Sequence, residues 1–196
     1  MVIARPDPGR FAKFAGLRMD ADEYLSLQDD GFRYELIDGV VVMSPSPTPE
    51  HQDIRGEIEF QLRDFVDERG SGLVLSEVDV RLSGTLVYRP DLIFIKAGQD
   101  RPIELVDFPP DMVLEVLSPS SAAMDQRTKL ADYERFGIAE YWIVDPYSAS
   151  TKFLRLLRGR YIEVPPTGDH YVSEAVPDFS LDLARLRRVF KRYQRG

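Results

Sequence analysis

Two carboxylates, Asp91 and Glu115, each lie within a strongly apolar stretch of the sequence. The stretches are residues 86–95 (LVYRPDLIFI) and 112–117 (MVLEVL), and apolar runs of this length are typical of buried strands. An ionised carboxylate in a buried strand is costly unless a cation, a metal ion or several hydrogen-bond donors compensate its charge. Because a lysine-bearing helical segment follows the two acids, the pattern favours a metal-dependent active site.

Strand geometry indicates where the two carboxylates point. Alternation places Val113, Glu115 and Leu117 on one face of their strand. If the strand of Asp91 is its neighbour, both carboxylates converge at one place, an arrangement that holds a hard divalent cation well. Two alternatives stay open on spacing alone: Asp91 as a solvent-facing residue where a strand begins, and Glu115 as one partner of a buried salt bridge.

Lys129 follows Glu115 on the next predicted helix, where Asp125 (i−4) and Tyr133 (i+4) share its face. A lone lysine of this kind is commonly a solvated surface residue, here paired with Asp125. The functional interpretation is a cation aimed back at the two carboxylates. There it would orient a water molecule or stabilise charge on a phosphorane-like transition state.

Three other features carry weaker signals. Glu35 lies between Tyr34 and Leu36, and spacing alone favours an exposed position over a third acidic ligand. His51, near the start of a long predicted helix, is expected to be a cap or surface residue. A basic cluster near the C-terminus is most simply a solvated helix face, with phosphate contact as the alternative. The cluster consists of Arg185, Arg187, Arg188, Lys191, Arg192 and Arg195.

Composition narrows the possible chemistry. The chain has 196 residues, of which 43% are hydrophobic and 30% charged, as expected of one folded domain. It has no cysteine and only two histidines, which excludes disulfides and zinc-thiolate sites and favours magnesium, manganese or calcium on oxygen ligands. The net charge of −8 argues against a nucleic-acid coat protein but not against a nuclease, whose basic residues need only be local.

The same sequence gives an expected location. No apolar run approaches the length of a membrane span, and the N-terminus lacks the apolar core of a secretory signal. We therefore expect no membrane contact and a cytoplasmic protein.

Local patterns predict the elements that must position these residues. Asp20 followed by Glu23 predicts a capping box and a short helix. Asp38-Gly39 predicts a hairpin turn, with Glu35 opposite Val42. The other predicted elements are a helix over 50–69, strands over 73–82, 87–95 and 112–117, a helix over 122–136, a central strand over 141–146, a hairpin through Arg158-Gly159, a strand over 171–176 and a helix from about 181.

The order of these elements predicts a mixed α/β sheet with helices packed on it, followed by a β extension and a C-terminal helix. No linker is long enough to separate two domains, so we expect a single domain over residues 1–196. Residues 1–18 are rich in Pro and Gly near their start and are predicted to form a loosely ordered N-terminal arm.

An ordered series of motifs in this sequence resembles the motifs of the Uma family of restriction endonucleases. The motifs are YELIDGVVVMSPSP followed by His51, then RPDLIFI, DMVLEVLSPSS, D-x3-K-x3-Y and GIAEYWIVDP. The similarity covers the chain from about Tyr24 to Leu183. That family belongs to the PD-(D/E)xK nuclease superfamily. The resemblance therefore implies an α/β (α+β) restriction-endonuclease-like fold, with a mixed central β-sheet flanked by helices.

The resemblance also implies roles for individual residues. It makes Asp91 the acid of the PD element and Glu115 the second acid. Leu117 occupies the place where the superfamily has its lysine, and Lys129 on the next helix is implied to replace it. Glu35 corresponds to an acid near the start of the fold.

The remaining implied roles concern the metal and its surroundings. Asp91 and Glu115, with the backbone carbonyl of Val116, would hold Mg²⁺ (or Mn²⁺). His51 matches a histidine of the family pattern, and Asp125 and Tyr133 belong to the D-x3-K-x3-Y motif as supporting residues.

The function implied is that of a Mg²⁺-dependent endonuclease hydrolysing phosphodiester bonds in DNA. A homodimer is expected, because nucleases that cut both strands often act as C2 pairs. The alternative is a catalytically weak or inactive nuclease-like module that binds DNA or a protein partner. The negative net charge and Leu117 at the usual lysine position both favour this alternative.

Overall fold

The computed structural model describes residues 12–98, 105–119 and 124–194, except for the side chain of residue 125. The α-helices are α1 (Ala21–Leu25), α2 (Pro49–Arg69), α3 (Leu130–Arg135) and α4 (Leu183–Tyr193), with a π-helical turn over Met124–Lys129. The strands are β1 (Arg33–Ile37), β2 (Val40–Ser44), β3 (Gly72–Ser76), β4 (Val80–Ser83), β5 (Leu86–Tyr88), β6 (Leu92–Lys96), β7 (Met112–Val116), β8 (Glu140–Asp145), β9 (Ser150–Leu157), β10 (Arg160–Glu163), β11 (His170–Val172) and β12 (Ser180–Asp182). None of these helices is long and apolar enough to cross a membrane.

A six-stranded mixed sheet forms the centre of the fold, in the order β10-β9-β8-β7-β6-β3. Only β7 and β8 run parallel within it. One face is covered by α2 and α4, which contribute Ile58 and Leu186 to the core. The other face is covered by α3 and by strands of a second sheet. The mixed α/β architecture predicted from the sequence is confirmed, with β8 inside the sheet as expected.

The second sheet has four strands in the order β2-β1-β5-β4. Its first hairpin turns at Asp38 and Gly39, whose φ values of 49° and 72° are both positive, as a tight hairpin turn requires. The predicted register is confirmed, because Glu35 pairs with Val42. The capping box of Asp20 and Glu23 is also present at the start of α1.

The strand predicted over 87–95 is instead two strands in different sheets. β5 belongs to the four-stranded sheet and β6 to the six-stranded one, and the chain crosses between them at residues 89–91. Pro90 has no N–H to donate to a strand ladder, so a continuous strand is disfavoured there. The predicted strand over 73–82 is likewise divided into β3 and β4. The crossing places Asp91 where the two sheets meet.

The predicted helix over 122–136 is a π-helical turn followed by the short helix α3; residues 122 and 123 lie outside the described part. π-helical segments are rare, occur mostly as single turns and are frequent at functional sites. The predicted strand over 171–176 is also shorter, because the chain leaves β11 and Glu174 N donates a hydrogen bond to the side chain of Glu140 instead (2.6 Å).

Of the predicted N-terminal arm, residues 1–11 lie outside the described residues. The remainder contacts the first hairpin: Gly16 N donates to Val41 O (2.7 Å), and the ring of Phe14 meets the edge of Tyr34 at 5.7 Å between centroids.

Candidate active site

Four predicted site residues lie in one cleft where the two sheets meet. Glu35 comes from β1, Asp91 from the crossing before β6, Glu115 from β7, and Lys129 from the end of the π-helical turn. The cleft has a volume of about 270 Å³. Only 4–8% of each residue is exposed, so four ionisable side chains are buried together at its floor.

Lys129 connects two of the acids. Its Nζ lies 2.9 Å from Oε1 of Glu35 and 2.9 Å from Oε1 of Glu115, and 5.2 Å from the ring centroid of Tyr88. The expectation of a solvated surface lysine is therefore wrong. The side chain of Asp125 lies outside the described part of the structure, so its supporting role stays a prediction. The buried salt bridge considered for Glu115 is present, and it lies within the cleft.

Asp91 is held by a backbone donor and by the predicted histidine. Its Oδ2 accepts a hydrogen bond from Val116 N (2.7 Å) and lies 3.1 Å from His51 Nε2. β6 and β7 are antiparallel neighbours, with Leu92 opposite Leu114, and this register brings Asp91 across from Glu115. The solvent-facing alternative for Asp91 is wrong.

His51 is not the cap or surface residue expected from its position. Thr48 is the N-cap of α2, and its Oγ1 accepts from His51 N (3.2 Å). The imidazole is buried in the third position of the helix and points at Asp91. Its Nδ1 has no hydrogen-bond partner within the described part of the protein.

The exposed position favoured for Glu35 is also wrong. β1 lies inside the four-stranded sheet, between β2 and β5, and the side chain of Glu35 lines the cleft. Its Oε1 accepts a hydrogen bond from Arg89 N (2.9 Å) as well as pairing with Lys129. Local spacing could not show this, because the donors come from distant segments.

Tyr133 lies one helical turn after Lys129 and reaches the same acid. Its hydroxyl donates to Oε1 of Glu115 (3.0 Å). Burial, and then the negative charge of Glu115, raise the pKa of Tyr133 well above its ordinary value. The phenol therefore remains a hydrogen-bond donor at neutral pH and fixes the orientation of the carboxylate.

Two arginines that the sequence did not indicate as site residues, Arg33 and Arg89, also line the cleft. Arg33 Nη1 pairs with Glu77 (3.1 Å), and Arg89 binds Asp79 through Nε and Nη2 (2.8 Å each). A signal for Arg33 exists in the sequence, since it lies two positions before Glu35 and strand alternation puts both on one face. The acidic partners are distant, so spacing could not predict them.

The basic residues of α4 lie elsewhere. Arg185 pairs with Glu57 (2.7 Å) and Arg192 with Asp53 (2.8 Å), both on α2, and Arg187 pairs with Asp169. None of these lines the cleft, which agrees with the predicted solvated helix face; Arg195 lies outside the described residues.

The cleft can be tested for its fit to a metal ion. No group of three or more His, Asp or Glu side chains in residues 12–98, 105–119 and 124–194 is arranged to hold one. Mg²⁺, however, is usually bound by one or two carboxylates, with water and substrate phosphate completing its shell. Asp91 and Glu115 supply that number. Val116 directs its N–H toward Asp91, and because the N–H and C=O of a strand residue point the same way, its carbonyl faces that side too. These donors fit a hard divalent cation.

Comparisons with known proteins identify the family and the fold of this chain. The model of a family described as "Uma2: Putative restriction endonuclease" matches residues 21–184. No curated protein matches the chain.

Among solved structures, the fold is similar to that of a putative nuclease belonging to DUF820 from Anabaena variabilis ATCC 29413. The TM-score is 0.75 and the sequence identity 18%, over 88% of this chain and 99% of that one. At this identity the likeness concerns the fold, and it supports the mixed sheet flanked by helices.

Proposed function

This chain belongs to the Uma2 family of putative restriction endonucleases, and from that premise we propose that it is a metal-dependent nuclease hydrolysing phosphodiester bonds in DNA. The observation that carries the proposal is the convergence of Asp91, Glu115 and Lys129 in one cleft. Buried ionisable groups that face a cleft are typical of catalytic sites.

Asp91, Glu115 and the carbonyl of Val116 are the groups that would hold Mg²⁺ or Mn²⁺. When bound, the ion supplies a Lewis acid that activates a water molecule and neutralises charge on the scissile phosphate. Asp91 is prepared for this role, because the Val116 N–H and His51 fix its carboxylate. Donors of this kind orient metal ligands and tune their affinity.

Lys129 is the proposed cation of the reaction. The position two residues after Glu115 is Leu117, which is 4% exposed and packs in the core, so the strand itself supplies no ammonium. Lys129 reaches Oε1 of Glu115 from the following helix. From there it can orient the attacking water or donate to the phosphate oxygen on which charge develops. Glu35 holds the ammonium from the other side.

One observation favours a second function. Lys129 already compensates part of the charge of Glu35 and Glu115, as an ion cluster kept for structure alone would do. A catalytically weak nuclease-like module that binds DNA or a protein partner would retain this arrangement without turnover.

Cleavage and metal binding separate the two functions. Purified protein is incubated with plasmid DNA and with single-stranded DNA in MgCl₂ and in MnCl₂. We expect cleavage that Glu115→Gln lowers by about 100-fold or more; this variant also controls for contaminating nucleases. Calorimetry should show metal binding that Asp91→Asn abolishes. Equal cleavage by wild type and Glu115→Gln, or no binding at millimolar metal, would favour the inactive module.

A further inference from the structure

The mouth of the cleft carries an exposed aromatic ring. Tyr147 lines the cleft and is 66% exposed, whereas Glu35, Asp91 and Glu115 lie at 4–8% exposure below it. Among the described residues that line the cleft, Tyr147 is the only Phe, Tyr or Trp. The segment 45–48 between β2 and α2 also lines the cleft.

The turn that carries Tyr147 is held in place. Oδ1 of Asp145 accepts from Tyr147 N (2.9 Å), and its Oδ2 accepts from Ser148 Oγ (2.7 Å). That hydroxyl also lies 2.8 Å from Ser150 Oγ. The turn directly follows β8, a strand inside the central sheet. An exposed ring on a fixed turn loses little conformational freedom when a ligand packs on it.

The cations of the cleft are poorly suited to a double helix. In the described part of the chain, each Lys or Arg side chain that lines the cleft is paired: Arg33 with Glu77, Arg89 with Asp79, and Lys129 with two acids. The whole chain carries a net charge of −8. A duplex presents a negative charge about every 1.7 Å along its axis and a single strand about half as many. Repulsion is therefore weaker for a single strand.

We propose that the cleft takes a single-stranded segment of DNA, with one base stacked on Tyr147 beside the phosphate at Asp91 and Glu115. The proposal rests on the proposed function for the role of the two acids. Bases inside a duplex are already stacked on their neighbours, whereas a single strand offers a free face to an aromatic side chain. A flexible strand can also bring a phosphate down to the acids, which are far less exposed than Tyr147.

Fluorescence anisotropy in EDTA tests the proposal without any cleavage. The probes are a labelled single-stranded oligonucleotide and a duplex of the same length. We expect tighter binding of the single strand and a loss of about tenfold in its affinity in Tyr147→Ala. Tyr147→Phe should keep the affinity, because it keeps the ring. The matched control is Phe60→Ala, which removes a ring that is 54% exposed on α2 and outside the cleft, and it should change nothing.

Equal affinity for the two probes, unchanged affinity in Tyr147→Ala, or no binding of either probe would overturn the proposal. Its failure is separable from that of the nuclease function. Cleavage of single-stranded DNA in MgCl₂ that is equal in the wild type and Tyr147→Ala would leave the nuclease function standing and remove the stacking role of Tyr147. Binding of the single strand that depends on Tyr147, in a protein that cleaves no DNA, would keep the stacking role and remove the nuclease function.

Discussion

Nζ of Lys129 lies 2.9 Å from Oε1 of Glu115, although fourteen residues separate the two along the chain. The ammonium thus reaches the second acid from the following helix. Leu117, two residues beyond Glu115 and on the same strand face, packs in the core instead. A single cation in contact with Glu115 and Glu35 keeps two buried carboxylates from repelling each other.

Replacing Lys129 by Met should make the stability of the protein depend on metal. The substitution leaves Glu35 and Glu115 without the ammonium, at side-chain exposures of only 8% and 5%. Breaking a buried ion pair in this way costs about 3–5 kcal/mol. A divalent cation bound at Asp91 and Glu115 restores part of that loss by mass action, because it compensates the charge of Glu115 that the ammonium no longer pairs with. Thermal unfolding with and without MgCl₂ should show a larger metal-induced rise in Tm for Lys129→Met than for the wild type.

Arg135→Met is the matched control for this experiment. Arg135 lies on α3, has a 62% exposed side chain and pairs with Asp132 at 2.8 Å. Exposed pairs contribute about 0–1 kcal/mol, so the substitution should change stability little and should not alter the effect of MgCl₂. A metal response in Lys129→Met no larger than in the wild type would contradict the proposed metal site.

Asp91→Asn should separate metal binding from folding. The amide can still accept the hydrogen bond of Val116 N through its oxygen, so we expect the free energy of unfolding to change by no more than about 1–2 kcal/mol. The charge that attracts a cation is lost, and calorimetric metal binding should vanish with cleavage. Urea unfolding of the variant measures this free energy and checks that the protein still folds. Metal binding that persists in Asp91→Asn would exclude this acid as a ligand.

An acid inside an apolar strand indicates a functional site only ambiguously, and the structure shows why. Glu140 is a third such acid, on β8, and is fully buried. Its two oxygens accept hydrogen bonds from Trp142 Nε1, Ser173 Oγ, Arg155 Nε, Tyr171 OH and Glu174 N. It lines no part of the cleft. Sequence shows the anomaly; only tertiary contacts separate a structural acid from one that faces a cavity.

The structural role of Glu140 gives a prediction of its own. Glu140→Gln removes the charge that pairs with Arg155 (3.1 Å) and an acceptor for buried donors. We expect a loss of about 1–3 kcal/mol in unfolding free energy with unchanged cleavage by the folded protein. Glu163→Gln, an exposed acid 3.9 Å from Lys152, is the control and should change stability little. Loss of cleavage in folded Glu140→Gln would show that the β8 network also shapes the active site.

The predicted elements and their packing differ in how much local sequence determines them. The hairpin at Asp38-Gly39 and the end of α2 at Gly70 follow from residues with positive φ, which local chemistry dictates. Burial of Glu35 does not, because it depends on Arg89 and Lys129, which reach it from other segments. The break of one predicted strand at Pro90 had a local signal, yet its crossing between sheets is a tertiary event.

The contribution of Tyr133 to the stability of the protein should depend on pH in the alkaline range. Burial, followed by the charge of Glu115, raises the pKa of Tyr133 well above 10.0; burial likewise raises the pKa of Tyr88. Below about pH 10 these phenols are protonated in both folded and unfolded chains, so their stabilisation is fully present. Above it the unfolded chain loses protons first, and the free energy of unfolding falls as pH rises toward the folded pKa values.

Tyr133→Phe isolates one of these groups. It removes the hydrogen bond to Glu115 at 3.0 Å, and because that bond goes to a charged acceptor we expect a loss of about 1.5–3 kcal/mol near neutral pH. It also removes one titrating phenol, so the fall in stability above about pH 10 should be shallower by about 1.4 kcal/mol per pH unit. Urea unfolding between about pH 8 and about pH 11 measures both effects. An unchanged slope in Tyr133→Phe would mean that this phenol does not stay protonated in the folded protein.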